Sequence, residues 1–130
     1  MDVTVCPGTV AELPAVLNVL DGAALETDHD QIRDRLASDD VLVAVSPEDF
    51  GQILGACVLV EGEIRAIAVR LRHRDRGIGR ALVTYAAANH DRLVAAFDRD
   101  VRPFYAALGF DIRPIADGRY EGVLESDPDP

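Results

Sequence analysis

The order of the predicted elements indicates a three-layer α/β domain with a mixed, mostly antiparallel central sheet. Three observations lead to this prediction. The chain has 130 residues, which fits one domain with one core. Apolar residues make up 48% of it, so general disorder is not expected. The elements run in the order βααβββαβαββ, which is typical of helices packed on a sheet. We expect a single domain over residues 1–126 and a frayed acidic tail at 127–130.

A strand and two helices are predicted first. Residues 2–6 alternate and end at a Pro-Gly turn, which indicates a strand. Thr9 can then cap a helix whose apolar residues have helical spacing, and residues 28–37 carry a second helix with a narrow apolar stripe. The apolar positions of the first helix are Val10, Leu13, Val16, Leu17 and Leu20.

Three β-rich runs follow at residues 41–45, 52–60 and 64–69, and the turns between them indicate a meander. The rest of the chain alternates between helices and strands. A helix is predicted at 77–90, a strand at 93–97, a short helix at 101–108 and a closing pair of strands at 110–115 and 119–124.

The composition excludes several classes of partner. The formal charge is −10, which argues against nucleic acid and acidic membrane surfaces because both attract basic proteins. No apolar run approaches the length of a membrane helix, and the first residues lack a signal-peptide pattern. We therefore expect a cytoplasmic protein. All basic residues are Arg, and Asp far exceeds Glu, as on a halophile's surface; attraction of a cationic substrate is the alternative explanation.

Neither the cysteines nor the histidines form a recognisable reactive or metal-ligating set. Cys6 and Cys57 lie in apolar stretches, where buried reduced thiols are expected. The three histidines have no partners at ligand spacing, so no metal site is predicted. His90 is expected at a helix C-terminus.

A basic island precedes the predicted helix at 77–90. Residues 70–80 contain five arginines and one acid, so this segment carries 5 − 1 = +4, whereas the rest of the chain carries −10 − 4 = −14. Gly77 and Gly79 allow close approach of the backbone, and the N–H groups of the first helical turn favour an anion. The pattern indicates a phosphate-bearing ligand. A solvated loop with two turn glycines explains the same spacing.

Two other phosphate motifs are tested directly by the residues present. A Walker loop requires a lysine, and the chain has none. A dinucleotide fingerprint fails at its third glycine, where Leu82 stands, although Asp98 lies where a ribose-binding acid would be expected. A nucleotide-binding half-domain, which would bind NAD, thus stays a weaker alternative.

Two segments resemble signatures of the GNAT superfamily of acyl-CoA-dependent N-acetyltransferases. The turn RDRGIGRAL resembles motif A, [QR]-x-x-G-x-[GA], with Arg74, Gly77 and Gly79 at its defining positions. PFYAALGF, at residues 103–110, resembles the downstream FY-x-x-x-GF signature. The order of the elements is also similar to the family fold, so the resemblance covers essentially the whole chain.

The resemblance implies an acetyl-CoA site between two splayed strands, the fourth and the fifth. Backbone groups of the strand before motif A would pair with pantetheine as an added strand does, and the motif A turn would bind the pyrophosphate. Asp98 stands where the family often has Asn, which puts an amide contact in doubt; a helix-capping role for Asp98 or Asp100 is expected instead. The implied cofactor-binding residues are Ile67, Ala68, Val69, Arg74, Asp75, Arg76, Gly77, Ile78, Gly79 and Arg80.

Two catalytic residues are implied by the same resemblance. The Tyr105 hydroxyl would face the thioester sulfur as general acid, and Glu63 would act as general base towards the amine. The backbone N–H of Val69 would polarise the thioester carbonyl. The local patterns allow simpler roles, because Tyr105 has the helical spacing of a core aromatic and Glu63 lies in good turn sequence.

The expected function is transfer of an acetyl group from acetyl-CoA to a primary amine, directly in a ternary complex. A non-catalytic acyl-CoA-binding or regulatory module is the alternative. The acceptor amine is not identified by the sequence, because acids at residues 21–30 would suit an amine and a halophile-like surface alike. A homodimer is compatible with the sequence, which does not determine the oligomeric state.

Overall fold

The computed structural model describes residues 3–22, 28–46, 52–70 and 77–125, and it has three layers. A seven-stranded sheet in the order β1-β2-β3-β4-β5-β7-β6 forms the middle layer. The strands are β1 (Thr4–Pro7), β2 (Val41–Val45), β3 (Ile53–Val60), β4 (Glu63–Val69), β5 (Arg92–Asp98), β6 (Asp111–Ala116) and β7 (Arg119–Glu125). The helices are α1 (Leu13–Gly22), α2 (His29–Ala37), α3 (Ile78–Ala88) and α4 (Arg102–Ala107).

Capping residues fix the beginnings of the first two helical segments. A 3₁₀ turn, Val10–Glu12, leads into α1, and the Glu12 carboxylate accepts a 2.8 Å hydrogen bond from the backbone N–H of Thr9. This is one half of a capping box. Asp28 caps α2 because its carboxylate accepts hydrogen bonds from the backbone N–H groups of Asp30 and Gln31. Thr9 is the N-cap residue, as predicted, whereas the capping role of Asp28 was not predicted from the sequence.

The sheet is mixed and mostly antiparallel, as predicted. Five of the neighbouring pairs are antiparallel, and only β4 and β5 run parallel. The last strand, β7, lies between β5 and β6 rather than at the edge. The sequence predicted the closing pair of strands but not this insertion, because the partner of a strand is decided by distant residues.

The core has two parts, one on each face of the sheet. On one face, α1 and α2 pack on β2 and β3 through a cluster that includes Val16, Leu20, Leu36 and Val43. On the other face, α3 and α4 cover a larger cluster that extends to β5. Strand β3 is apolar throughout and almost wholly buried because helices cover both of its faces.

Some local expectations are corrected by the structure. Cys57 is buried as expected, but Cys6 is only half-buried; both are free thiols. Asp98 precedes the 3₁₀ turn Arg99–Val101 without a side-chain capping bond. Its carboxylate instead accepts a 2.7 Å hydrogen bond from Arg119, because β7 brings that guanidinium to the end of β5. In the described part of the chain, no helix is long and apolar enough to cross a membrane.

Candidate active site

Strands β4 and β5 are paired at one end only and then separate. Their parallel register joins Glu63 to Val94 and Ile64 to Ala95, and the Gly62 carbonyl accepts a 2.9 Å hydrogen bond from the Val94 N–H. Both strands are described in full, and their register contains no further pair. The gap therefore opens towards their C-terminal ends, as the predicted splay requires.

The backbone of β4 presents alternate residues to this gap. The N–H of Arg70 donates a 2.8 Å hydrogen bond to the Leu54 carbonyl, so residue 70 belongs to a hydrogen-bonded pair with β3. In an antiparallel ladder such pairs alternate with pairs whose polar groups face away. The register opposes Val69 to Gly55 and Ala68 to Ala56. The polar backbone groups of Ile67 and Val69 thus face away from β3, whereas those of Ala68 face it.

The first turn of α3 lies beyond the open end of β4. Gly77 is the N-cap residue with φ +81°, a left-handed conformation that disfavours any side chain, although nothing lies within 4 Å of where its Cβ would be. Ile78 is buried against the core, and Arg80 is exposed. The predicted pyrophosphate ligands Arg74, Asp75 and Arg76 lie outside the described residues.

Glycines in α3 and β3 permit two close contacts. A Cβ on Gly79 would lie 3.3 Å from the Cε1 and Cζ atoms of Phe104. A Cβ on Gly55 would lie 3.1 Å from Ile78 and 3.2 Å from Leu82. Gly55 therefore lets α3 settle close to β3. Sequence reasoning missed both contacts, because it considered Gly79 only for its approach to a ligand.

Tyr105 is the centre of an aromatic cluster between α4 and β5. Its side chain is buried, and its ring stacks on Phe97 with centroids 4.3 Å apart. Phe104 and Phe110 meet the same ring edge-on at 5.0 and 5.1 Å. Such geometries stabilise a ring beyond its burial alone. The core-aromatic interpretation of Tyr105 is thus correct, and α4 places it beside the strand that borders the gap.

Burial controls the ionisation of two groups in this region. Desolvation raises the pKa of Tyr105 to about 12, and the Cys57 thiol adds to this shift. Desolvation likewise raises the pKa of Cys57 to about 12. Cys57 lies on β3 directly opposite Ile67 of β4. Both groups are therefore neutral at physiological pH, the tyrosine as a phenol and the cysteine as a thiol.

Glu63 lies at the closed end of the gap, at the start of β4. Its carboxylate forms a 2.6 Å ion pair with Arg65 Nε, and both side chains are substantially exposed. Glu63 and Ile67 lie four residues apart, roughly 13 Å along a strand. Glu63 thus lies on a strand that borders the gap. Its ion pair with Arg65 was not predicted from the sequence.

Arg70 ties the open end of β4 to the helix layer. Its Nε donates a 2.7 Å hydrogen bond to the Ile53 carbonyl, and its Nη1 donates a 2.8 Å bond to Asn18 of α1. In the sequence, Arg70 is the first arginine of the basic island at residues 70–80. In the structure, its guanidinium bonds to α1 and β3, and Arg70 thereby anchors the end of β4.

The described residues include no group of three or more His, Cys, Asp or Glu side chains that could hold a metal ion. A groove of about 470 Å³ lies between α3 and β1. It is mostly apolar, and it is lined by Val5, Gly77, Arg80, Ala81, Thr84, Tyr85 and Ala88.

The splayed parallel pair, with a glycine-capped helix beyond its open end, is typical of an α/β domain of the acetyltransferase type. The model of the acetyltransferase (GNAT) domain matches residues 37–112, more than half of the 130 residues. The chain therefore belongs to the GNAT acetyltransferase family. The predicted family and fold are confirmed. No curated protein matches the sequence.

Solved structures support the fold over nearly the whole chain. Rv2747 from Mycobacterium tuberculosis, in complex with CoA and NLQ, is 18% identical with a TM-score of 0.79, over 95% of this chain and 99% of that one. The PaiA N-acetyltransferase from Thermoplasma acidophilum, in complex with coenzyme A, is 11% identical with a TM-score of 0.76, over 97% and 100%. A GNAT-family acetyltransferase from Bacillus cereus is 13% identical with a TM-score of 0.79, over 97% of each chain.

Proposed function

We propose that the protein transfers an acetyl group from acetyl-CoA to a primary amine, directly within a ternary complex. The observation that carries this proposal is the one-ended pairing of β4 and β5, with the first turn of α3 beyond the open end. The gap offers a strand-like edge for a pantetheine arm, and the turn offers N–H groups for the pyrophosphate. Two structural neighbours are complexes with CoA.

The donor site extends along β4 and into α3. Ile67 and Val69 have their polar backbone groups directed away from β3, so they bind pantetheine, while Ala68 provides a small buried side chain beneath it. The first turn of α3, residues 77–80, binds the pyrophosphate together with Arg74, Asp75 and Arg76. The exposed guanidinium of Arg80 adds a charged contact to the phosphates.

The reaction replaces a C–S bond by a C–N bond. The amine nitrogen attacks the thioester carbonyl carbon, whose oxygen is stabilised by the N–H of Val69. Glu63 receives the surplus proton of the amine through water molecules, because it lies at the other end of β4 from Val69, roughly 20 Å along the strand. The C–S bond then breaks, and the phenolic proton of Tyr105 passes to the sulfur of CoA.

The ionisation of the buried groups supports direct transfer. Because burial raises the pKa of Tyr105 to about 12, its hydroxyl is fully protonated at physiological pH and can donate to the leaving sulfur. Cys57 is the thiol nearest to this region of β4, but burial raises its pKa to about 12 as well. A neutral, inaccessible thiol is a poor nucleophile, which disfavours an acetyl-cysteine intermediate.

A non-catalytic acyl-CoA-binding module is the second candidate. Two observations favour it: the high pKa makes Tyr105 a weaker acid than an ordinary phenol, and Glu63 is paired with Arg65. Such a module would bind CoA through the same gap and turn, but it would neither hydrolyse acetyl-CoA nor transfer its acetyl group.

The direct test is an acetyl-transfer screen with purified protein at high salt, over polyamines, amino acids, aminoglycosides and peptide N-termini. On an acceptor so found, Tyr105→Phe should lower kcat about 100-fold, with the Kd for CoA nearly unchanged. The matched control is Tyr120→Phe, which removes a hydroxyl from another tyrosine near Phe97 and should leave kcat unchanged. Equal activity of Tyr105→Phe and the wild type would refute the acid role.

The base role of Glu63 has its own test. Glu63→Gln removes the basic oxygen with little change in shape, so kcat should fall at least about tenfold, and the loss should shrink as pH rises and more of the amine is already neutral. Glu61→Gln is the control, because Glu61 precedes β4 in the same turn. A kcat insensitive to Glu63→Gln at every pH would assign the proton to solvent instead.

A further inference from the structure

Phe104 occupies a position that the chemistry above does not use. Its ring lies between the first turn of α3 and the ring of Tyr105. On one side, its Cε1 and Cζ atoms lie 3.3 Å from where a Cβ of Gly79 would be. On the other side, its ring meets that of Tyr105 edge-on, with centroids 5.0 Å apart. One side chain thus contacts both the turn and the tyrosine.

Phe110 provides an internal comparison. Its ring also meets the ring of Tyr105 edge-on and with nearly the same geometry, 5.1 Å and 78° against 5.0 Å and 81° for Phe104. Its ring also packs on a glycine, because a Cβ on Gly122 would lie 3.1 Å from its Cδ2 atom. Gly122, however, belongs to β7, which is separated from β4 by β5. The two phenylalanines differ in what they join to Tyr105.

We propose that Phe104 is a positioning residue that couples the pyrophosphate-binding turn to Tyr105, and this rests on the proposed function. With Phe104 held against Gly79, a displacement of the α3 turn moves the ring, and the ring moves Tyr105. Val69 belongs to the same contact set, because its Cγ2 atom lies 3.9 Å from the Cβ position of Gly79. The first turn of α3, the end of β4 and Tyr105 therefore belong to one continuous set of contacts.

Close packing is what makes this coupling physical. Closely packed side chains transmit a displacement, because few voids are left to absorb it, and Gly79 and Phe104 are packed together although both are only half-buried. A side chain at position 79 has to push the Phe104 ring by a few tenths of an ångström or more. Removing the ring gives the side chain room but leaves Tyr105 without one of its edge contacts. The two effects can thus be separated by combining substitutions.

The experiment uses tyrosine fluorescence and CoA binding in the full chain. The chain has three tyrosines and no tryptophan, so Tyr85→Phe with Tyr120→Phe leaves Tyr105 as the only emitter. Into this background we would introduce Gly79→Val, Phe104→Ala, both together, and Phe110→Ala as the matched control. The measurements are acrylamide quenching of Tyr105 without ligand and the Kd of CoA by calorimetry.

The expected pattern differs for each variant. Gly79→Val should weaken CoA binding about tenfold and roughly double the quenching of Tyr105, because the ring is displaced. Gly79→Val with Phe104→Ala should recover the CoA Kd to within about threefold while quenching stays high. Phe110→Ala should raise quenching but leave the Kd within about twofold of the background. If Phe104 had only a structural role, Phe104→Ala and Phe110→Ala would have the same effects on Tyr105 quenching and on the Kd of CoA.

Three results would overturn the coupling: unchanged quenching in Gly79→Val, a double variant that binds CoA as weakly as Gly79→Val, or a Phe110→Ala protein with the same loss of affinity. If Gly79→Val does not fold, Gly79→Ala decides the question, with smaller changes in the same directions. If the wild type binds no CoA, the proposed function fails, and the quenching of ligand-free Gly79→Val still decides whether the turn and Tyr105 are coupled.

Discussion

The two halves of the sheet, on either side of the β4/β5 gap, are built differently. From β2 to β4, helices cover both faces, and β3 is buried almost throughout. From β5 to β6, the described residues cover only the face towards α3 and α4. On its other face, β5 exposes Ala96, and the neighbouring strands carry exposed ion pairs such as Arg113–Glu121.

Because of this difference, the two strands that border the gap are held in place in different ways. The two-sided half holds β4 in place, and Arg70 fastens its open end to α1. The one-sided half holds Tyr105 beside β5, on a short helix packed by aromatic rings. The halves share only two paired positions in β4 and β5. Substitutions in the first half should therefore affect mainly stability, and those near the gap mainly function.

The same substitution should have a large effect on stability in one half and almost none in the other. Ala56 of β3 is fully buried, so Ala56→Asn introduces an oversized amide without partners and should lower the free energy of unfolding by about 4 kcal/mol. Ala96 of β5 is exposed, so Ala96→Asn should change it by less than about 0.5 kcal/mol. Urea denaturation measures both. Similar losses at the two sites would show that the open face is covered in solution.

Alkaline pH should probe one buried group from each half. Burial raises the pKa of Cys57, on β3, from 9.0 to about 12, and that of Tyr105, beside β5, from 10.0 to about 12. The unfolded chain loses these protons first, so stability declines as pH rises above 9, by about 4 kcal/mol for Cys57 and about 3 kcal/mol for Tyr105 taken singly. The two groups interact, so these losses do not add.

The absence of lysine makes this alkaline titration readable, because few other groups ionise between pH 9 and 12. Cys57→Ala should flatten the decline from pH 9 upwards, and Tyr105→Phe should flatten it from pH 10 upwards. The measurement is urea denaturation at stepped pH values. A wild-type stability that stays constant from pH 9 to pH 12 would show that neither group is as buried as described.

The conformation of Gly77 should have a smaller effect on stability and a clear one on binding. Its φ of +81° is strained for any residue with a Cβ, so Gly77→Ala should cost about 1 to 2 kcal/mol. Because the first turn of α3 begins there, CoA affinity should fall too. Ala81→Ser, one turn later on a partly buried position, controls for a general change in α3. An unchanged CoA affinity would show that the turn is not part of the donor site.

The smallest effect should come from the open face of the one-sided half. Arg113 and Glu121 form a 2.8 Å ion pair, but the arginine side chain is 73% exposed. Exposed pairs contribute little, so Arg113→Ala should lower the free energy of unfolding by less than about 1 kcal/mol. Thermal unfolding at low and high salt checks this. A loss of several kcal/mol would mean that this surface is buried against a partner.

Local patterns predicted most of the fold, and long-range contacts explain the remainder. Apolar periodicity and turn signals predicted the elements, because periodicity and turns depend on neighbouring residues. The insertion of β7 between β5 and β6, and the Arg119 to Asp98 bond that results, depend on residues 21 apart. Periodicity carries no information on such pairs. The role of Gly79 beside Phe104 was missed for the same reason, since the contact joins α3 to α4.

The most direct test of the donor site is a calorimetric titration of the wild-type chain with CoA and, separately, with NAD. The gap between β4 and β5, together with the Gly77 turn, predicts saturable binding of one CoA per chain, weakened in Gly77→Ala, and no binding of NAD at the same concentrations. Binding of NAD without binding of CoA would contradict the account, because it would assign the turn to a dinucleotide instead.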